Sequence, residues 1–81
     1  MKWTGNLRDD CTAVDGEYML RAEMMRDGFW WWCVYRADER VYDSEIHAYT
    51  GKQARQLAEL YYELDRLKIE VAKNQILKEL K

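Results

Sequence analysis

Between Cys11 and His47 the apolar residues come in short runs broken by Asp15-Gly16 and Asp27-Gly28, whereas from Thr50 onward they recur every third or fourth position. The first pattern predicts strands and the second a helix, because side chains alternate across a strand but share a helix face at three- and four-residue spacing. Asp-Gly favours a tight hairpin turn, so the first half reads as a meander. Its centre is Phe29-Trp30-Trp31-Trp32-Cys33-Val34-Tyr35, aromatic and β-branched enough to be a strand, with tryptophan on both faces. Counting back from two-residue loops assigns every side chain a face. Across Asp27-Gly28, Met24 opposes Trp31, Ala22 opposes Cys33 and Leu20 opposes Tyr35, an apolar set joined by Tyr18 and Phe29. The other, mixed face holds Met25 opposite Trp30, Glu23 opposite Trp32, Arg21 opposite Val34 and Met19 opposite Arg36. A loop at Asp38-Glu39 sends Tyr42, Ser44 and Ile46 to the apolar face and Asp43, Glu45 and His47 to the mixed one, while Cys11 and Ala13 of the first hairpin join the apolar face.

Thr50 is placed to cap a helix running to about Leu80, roughly 45 Å long at about 1.5 Å per residue. A strand of eight residues covers only about 27 Å, so the helix overhangs the sheet. Ala54, Leu57, Ala58, Tyr61 and Leu64 form the stripe expected to lie on the apolar sheet face. Leu57, Leu60, Leu64, Leu67 and Val71 also fit alternate a and d heptad positions until Asn74 and Lys78. Leu60, Leu67, Val71, Ile76 and Leu80 are therefore the expected dimerisation residues of a homodimer, unless the tail folds back near Lys73-Asn74 as a second short helix. Trp3 is expected to cap the edge of the core. The fold class is α+β: a single domain, residues 1–81, with a four-stranded antiparallel β-meander in residues 1–49 and one long C-terminal helix, residues 50–81, packed on one face.

Composition narrows what such a chain does. At 81 residues with 48% hydrophobic and 35% charged side chains it is globular rather than disordered, and a net charge of -2 supplies no overall basic field for nucleic acid. Two cysteines are too few for a disulfide scaffold. No apolar run approaches the roughly 18 residues of a membrane span, and Met1-Lys2-Trp3 leads into no signal-peptide core, so a cytoplasmic protein is expected.

Neither a cofactor nor a metal is expected. Cys11 and Cys33 fall on the face opposite His47, and free buried cysteine commonly serves as a small hydrophobe. Ser44 points away from His47, which removes the nucleophile–base contact a hydrolase needs, and the chain reads as non-enzymatic. The mixed face is the informative constellation. Trp30, Trp32 and Met25 framed by Arg21, Arg36, Glu23, Glu45 and His47 match the aromatic centre and charged surround of a protein interface. The alternative is a small nucleic-acid-binding domain stacking bases on the Trp/Arg sheet face, although Glu23, Glu45 and Asp43 would repel phosphate.

Hairpins around Asp15-Gly16 and Asp27-Gly28, a helix from Thr50, an aromatic face and no catalytic motif resemble the small proteins of phages and other mobile elements, anti-CRISPR and related anti-defence proteins among them. The resemblance lies in size and architecture, and no functional residue is carried over. It implies a stoichiometric inhibitor that blocks a host protein or complex by surface complementarity.

Overall fold

Two chain reversals at glycine, Gly16 (φ 59°) and Gly28 (φ 72°), punctuate the first half of the molecule. The computed structural model describes residues 1–79. They form β1 (Trp3–Asn6), β2 (Asp10–Asp15), β3 (Tyr18–Arg26), β4 (Phe29–Arg36), β5 (Glu39–Asp43) and α1 (Gly51–Glu79). The strands make one antiparallel sheet in the order β1-β2-β3-β4-β5, and α1 crosses one face against β3 and β4. The class is α+β with one C-terminal helix, but the sheet has five strands rather than four. The additional strand is β1, whose Thr4-Gly5-Asn6 carries no apolar alternation. It is held by pairing with β2 and by the Trp3 indole, which donates to Glu59 Oε1 of α1 at 2.9 Å.

The faces of β2 and β3 follow the expected parity, and that of β4 is reversed. Arg26 pairs with Phe29, as a two-residue turn requires, but Met24 then pairs with Trp30, leaving Met25 as a bulge. One extra residue in one strand moves every later side chain to the opposite face. Leu20 accordingly opposes Val34, Ala22 opposes Trp32 and Glu23 opposes Trp31. The exchange lines the helix side with Trp30, Trp32 and Val34 instead of Trp31, Cys33 and Tyr35. Truncating a core tryptophan costs about 3–5 kcal/mol, so a second indole in the core outweighs the ladder hydrogen bond of about 1 kcal/mol that a bulge gives up.

A second irregularity lies on the other side of β4, where Val34 pairs with Tyr42 and Tyr35 with Arg40, leaving Val41 between them. It returns Tyr42 to the helix side. The turn before β5 is Ala37-Asp38, with φ of 50° and 65°, not Asp38-Glu39. Past Asp43 the chain leaves regular pairing, and Ile46 is 48% exposed rather than stacked on Trp31. It stays beside β4 because Ser44 N donates to Trp32 O at 2.9 Å, the Trp32 indole donates to Ile46 O at 2.8 Å and Trp30 N donates to Ala48 O at 2.9 Å.

Thr50 caps α1 as expected. Its Oγ1 accepts from Gln53 N at 3.1 Å, and Gln53 Oε1 accepts from Tyr49 N at 2.9 Å. The buried stripe is Ala54, Ala58, Tyr62 and Asp65, with Leu57 and Tyr61 packed at its margin. Leu64, expected in that stripe, is 50% exposed, because the sheet meets the helix one residue further round. Two alanines a turn apart let the helix backbone sit close over the indoles, and the Trp32 and Tyr61 rings lie 5.0 Å apart.

Asp65 closes the contact. Its carboxylate accepts from the Tyr18 hydroxyl at 2.7 Å, from the Arg36 guanidinium at 2.5 Å and from the Tyr42 hydroxyl at 3.4 Å, tying α1 to β3, β4 and β5. Burial alone would raise its pKa, but the hydrogen bonds from Tyr18 and Arg36 outweigh it and hold the carboxyl below its usual value. From Glu70 to Glu79 every residue of α1 is exposed, and the molecule measures 54 × 22 × 19 Å because the helix runs on past the sheet.

Candidate functional site

The face of the sheet away from α1 has no second layer among the described residues. β4 presents Phe29, Trp31, Cys33 and Tyr35 there, β3 presents Met19, Arg21 and Glu23, and β2 presents Thr12 and Val14. Trp31 lies near the middle, with the Arg21 guanidinium 5.9 Å from its ring centroid and its indole N–H donated to Asp43 Oδ1. Arg21 also reaches Asp10 at 3.2 Å and Arg40 reaches Asp43 at 3.4 Å, while the Arg26 guanidinium lies 5.5 Å from the Phe29 ring centroid at the hairpin end of the same face. Cation–π and ion-pair contacts at partly exposed positions are individually weak, and here they fix the orientation of the Trp31 ring.

Cys33 lies under this layer. It is fully buried yet outside the cluster that packs beneath α1, and its burial, more than its neighbours Arg21, Asp43 and Tyr35, pushes the thiol pKa up to about 11. Cys11, under the helix, is also raised by burial. Both thiols are free and protonated at neutral pH, which leaves little thiolate for chemistry. The two occupy opposite faces rather than the shared core face expected of them.

Trp30 and Trp32, expected at the centre of the binding face, are 7% and 0% exposed and lie under the helix. Arg36 points with them toward Asp65. Arg21 and Glu23 are on the bare face as expected. Met25 is the bulged residue, 57% exposed. Glu45 accepts from Asp43 N at 3.0 Å, and His47 is stacked between Phe29 and Tyr49, with centroids 4.8 and 4.3 Å away, rather than on Trp30. Trp31 and Tyr35, absent from the expected site, take the places of Trp30 and Trp32. The strict alternation of β4 already offers that set as the only other way to divide the strand.

Ser44 and His47 do not form a nucleophile–base pair. Ser44 Oγ accepts from Trp32 N at 2.9 Å and donates to Trp32 O at 3.0 Å, so it serves the backbone and not His47. Among the described residues no group of three His, Cys, Asp or Glu side chains converges as metal ligands would, and no helix is long and apolar enough to cross a membrane.

A second exposed apolar surface runs along α1. Leu60, Leu67 and Val71, expected as dimerisation residues, lie on one stripe with Leu64, whereas Ile76 falls on the sheet-side stripe beyond the end of the sheet; Leu80 lies outside the described residues. A shallow groove of about 340 Å³ between Ile46, His47 and Tyr49 of the β5–α1 loop and Leu57 and Leu60 of the helix continues this surface.

Fold and surface together define a small α+β domain with a half-covered sheet and a projecting amphipathic helix. No protein-family model, curated protein or solved structure matches the chain.

Proposed function

We propose that this protein is a non-enzymatic protein-binding module whose contact surface is the bare sheet face centred on Trp31 and Tyr35. The observation that carries the reading is the one-sided cover of the sheet, which leaves Trp31, Tyr35 and Met19 half-buried with no layer above them and Val14 and Phe29 exposed, framed by Arg21, Arg40, Asp10, Glu23 and Asp43. Aromatic residues and arginine anchor protein interfaces, and a polar surround keeps water from the anchors. The fitting partner sets an apolar side chain against Trp31 and charges of both signs around it. The likeness in size and architecture to phage and mobile-element anti-defence proteins supports a stoichiometric mode, in which the small domain covers a working surface of a host protein.

Nucleic-acid binding is the weaker reading because Arg21 and Arg40 are already paired with Asp10 and Asp43, Glu23 stands opposite Trp31, and Arg26 lies apart at the hairpin end over Phe29. A phosphate backbone would meet more repulsion than attraction.

Capture from an extract of the natural host tests the reading, using wild type and a Trp31→Ser, Tyr35→Ser double variant. The expected result is a stoichiometric protein partner retained by wild type and lost by the variant, with the circular dichroism spectrum unchanged. Equal capture by both would remove the bare face as the site. A salt-sensitive shift of a single-stranded oligonucleotide, lost in the same variant, would favour the nucleic-acid reading.

A further inference from the structure

The helix stripe is separate from the bare sheet face and calls for its own occupant. Leu60, Leu64, Leu67 and Val71 are 50%, 50%, 51% and 63% exposed, successive positions at spacings of four, three and four. Single exposed leucines are ordinary, but four on one line along three helical turns are not. At about 100° per residue the stripe is centred about 145° around the helix from the sheet-facing residues Ala54, Ala58, Tyr62 and Asp65, so the protein's own sheet cannot cover it.

In heptad terms Leu64 and Val71 are a positions and Leu60 and Leu67 are d positions, which puts Glu63 and Glu70 at g and Lys68 at e. Of the two a residues Val71 is β-branched, the type that with leucine at d suits a two-stranded coil. The charges decide the direction. In a parallel pair each g residue faces the e residue five positions further along the other helix, so Glu63 meets Lys68 of the second copy twice by symmetry. An antiparallel pair sets g against g and e against e, which brings glutamate to glutamate and lysine to lysine. Within one chain Glu63 pairs with Arg66 at 2.8 Å, with both side chains nearly half exposed, a contact weak enough to exchange. Asn74 follows at the next d position and ends the apolar run of the seam.

We infer that this stripe is the seam of a parallel homodimer, two copies packing α1 against α1 from Leu60 to Asn74 with their sheets on opposite flanks. Fewer than three heptads would be marginal for free peptides, but half of each helix is already built on its sheet, so the ordering cost of association is reduced. Ile46 and Tyr49, 48% and 62% exposed beside Leu57 and Leu60, widen the seam at the sheet end.

Sedimentation equilibrium of the full chain at about 100 μM, where an interface of micromolar Kd is filled, is the first measurement. The expected result is a dimer that Leu67→Asp converts to monomer without loss of the folded circular dichroism signal. Glu63→Lys should weaken the dimer several-fold, and Glu63→Lys with Lys68→Glu should restore it. Asn74→Cys should cross-link the two copies under mild oxidation, because parallel packing brings the two positions together. A monomeric wild type overturns the inference and leaves the stripe to a foreign helix. A dimer indifferent to Leu67→Asp overturns the seam, and a dimer in which Asn74→Cys fails to cross-link and the charge pair shows no rescue overturns the parallel arrangement.

Discussion

Replacing a glycine in the first turn of a helix by alanine ordinarily stabilises it by roughly 0.5–1 kcal/mol. Gly51 should do the opposite. A Cβ built there falls 2.8 Å from Trp30 Cη2 and 2.9 Å from Cζ2, inside any tolerable contact, because the indole packs flush against the start of the helix. Overpacking costs about 1–3 kcal/mol, so Gly51→Ala should lose about 1 kcal/mol net in urea unfolding. In a Trp30→Phe background the smaller ring makes room and the sign should reverse. Loss of the same size in both backgrounds would mean that Trp30 is not the obstacle.

Among the elements, the β4–β5 turn is the one whose residues fit its geometry least. Both Ala37 and Asp38 adopt positive φ, as a type I′ turn demands, yet neither is glycine. A left-handed alanine costs about 1–2 kcal/mol, whereas asparagine and glycine accept that conformation readily. Ala37→Asn with Asp38→Gly should therefore raise stability by about 1 kcal/mol, read as a higher melting temperature. No gain would mean that the turn is not in this conformation in solution.

Much at this level was legible in the sequence. The Asp27-Gly28 turn, the faces of β2 and β3, the cap at Thr50 and the overhang of α1 follow from turn residues and periodicity, whereas the first and third turns each lie one residue from the expected pair, at Gly16-Glu17 and Ala37-Asp38. The face of β4 does not, because Phe-Trp-Trp-Trp-Cys-Val-Tyr offers a large apolar set in either register. The bulge at Met25 that chooses between them leaves no compositional mark. β1 was equally silent, since Thr4-Gly5-Asn6 gains its structure from β2 and Trp3 from Glu59. The role of Asp65 has no mark in the sequence, because one acid among the helix charges reveals nothing until Tyr18, Tyr42 and Arg36 from three separate strands meet it.

Taken whole, the molecule is pinned by that buried carboxylate, and its stability should follow pH accordingly. A carboxyl whose pKa is lower folded than unfolded adds stability that is present above its unfolded value, about 4, and is lost as pH falls through the folded value. The stability gap between wild type and Asp65→Asn should thus be full at neutral pH and shrink below about pH 4. At the alkaline end, burial and the Asp65 hydrogen bond push Tyr18 up to about 12, so its contribution is complete below its usual value near 10 and fades as pH rises toward 12. Urea midpoints across the pH range check both limbs. A pH-independent gap would place Asp65 outside the network.

The bulge at Met25 decides which tryptophan the molecule offers to others, and the proposed contact surface depends on it. Fluorine NMR of protein labelled with 5-fluorotryptophan, assigned by single Trp→Phe substitutions and titrated with a soluble paramagnetic agent, reads that choice directly. The Trp31 resonance should broaden strongly while those of Trp30 and Trp32 stay sharp. Broadening of Trp30 and Trp32 with Trp31 protected would restore the unbulged register and remove Trp31 from the binding face.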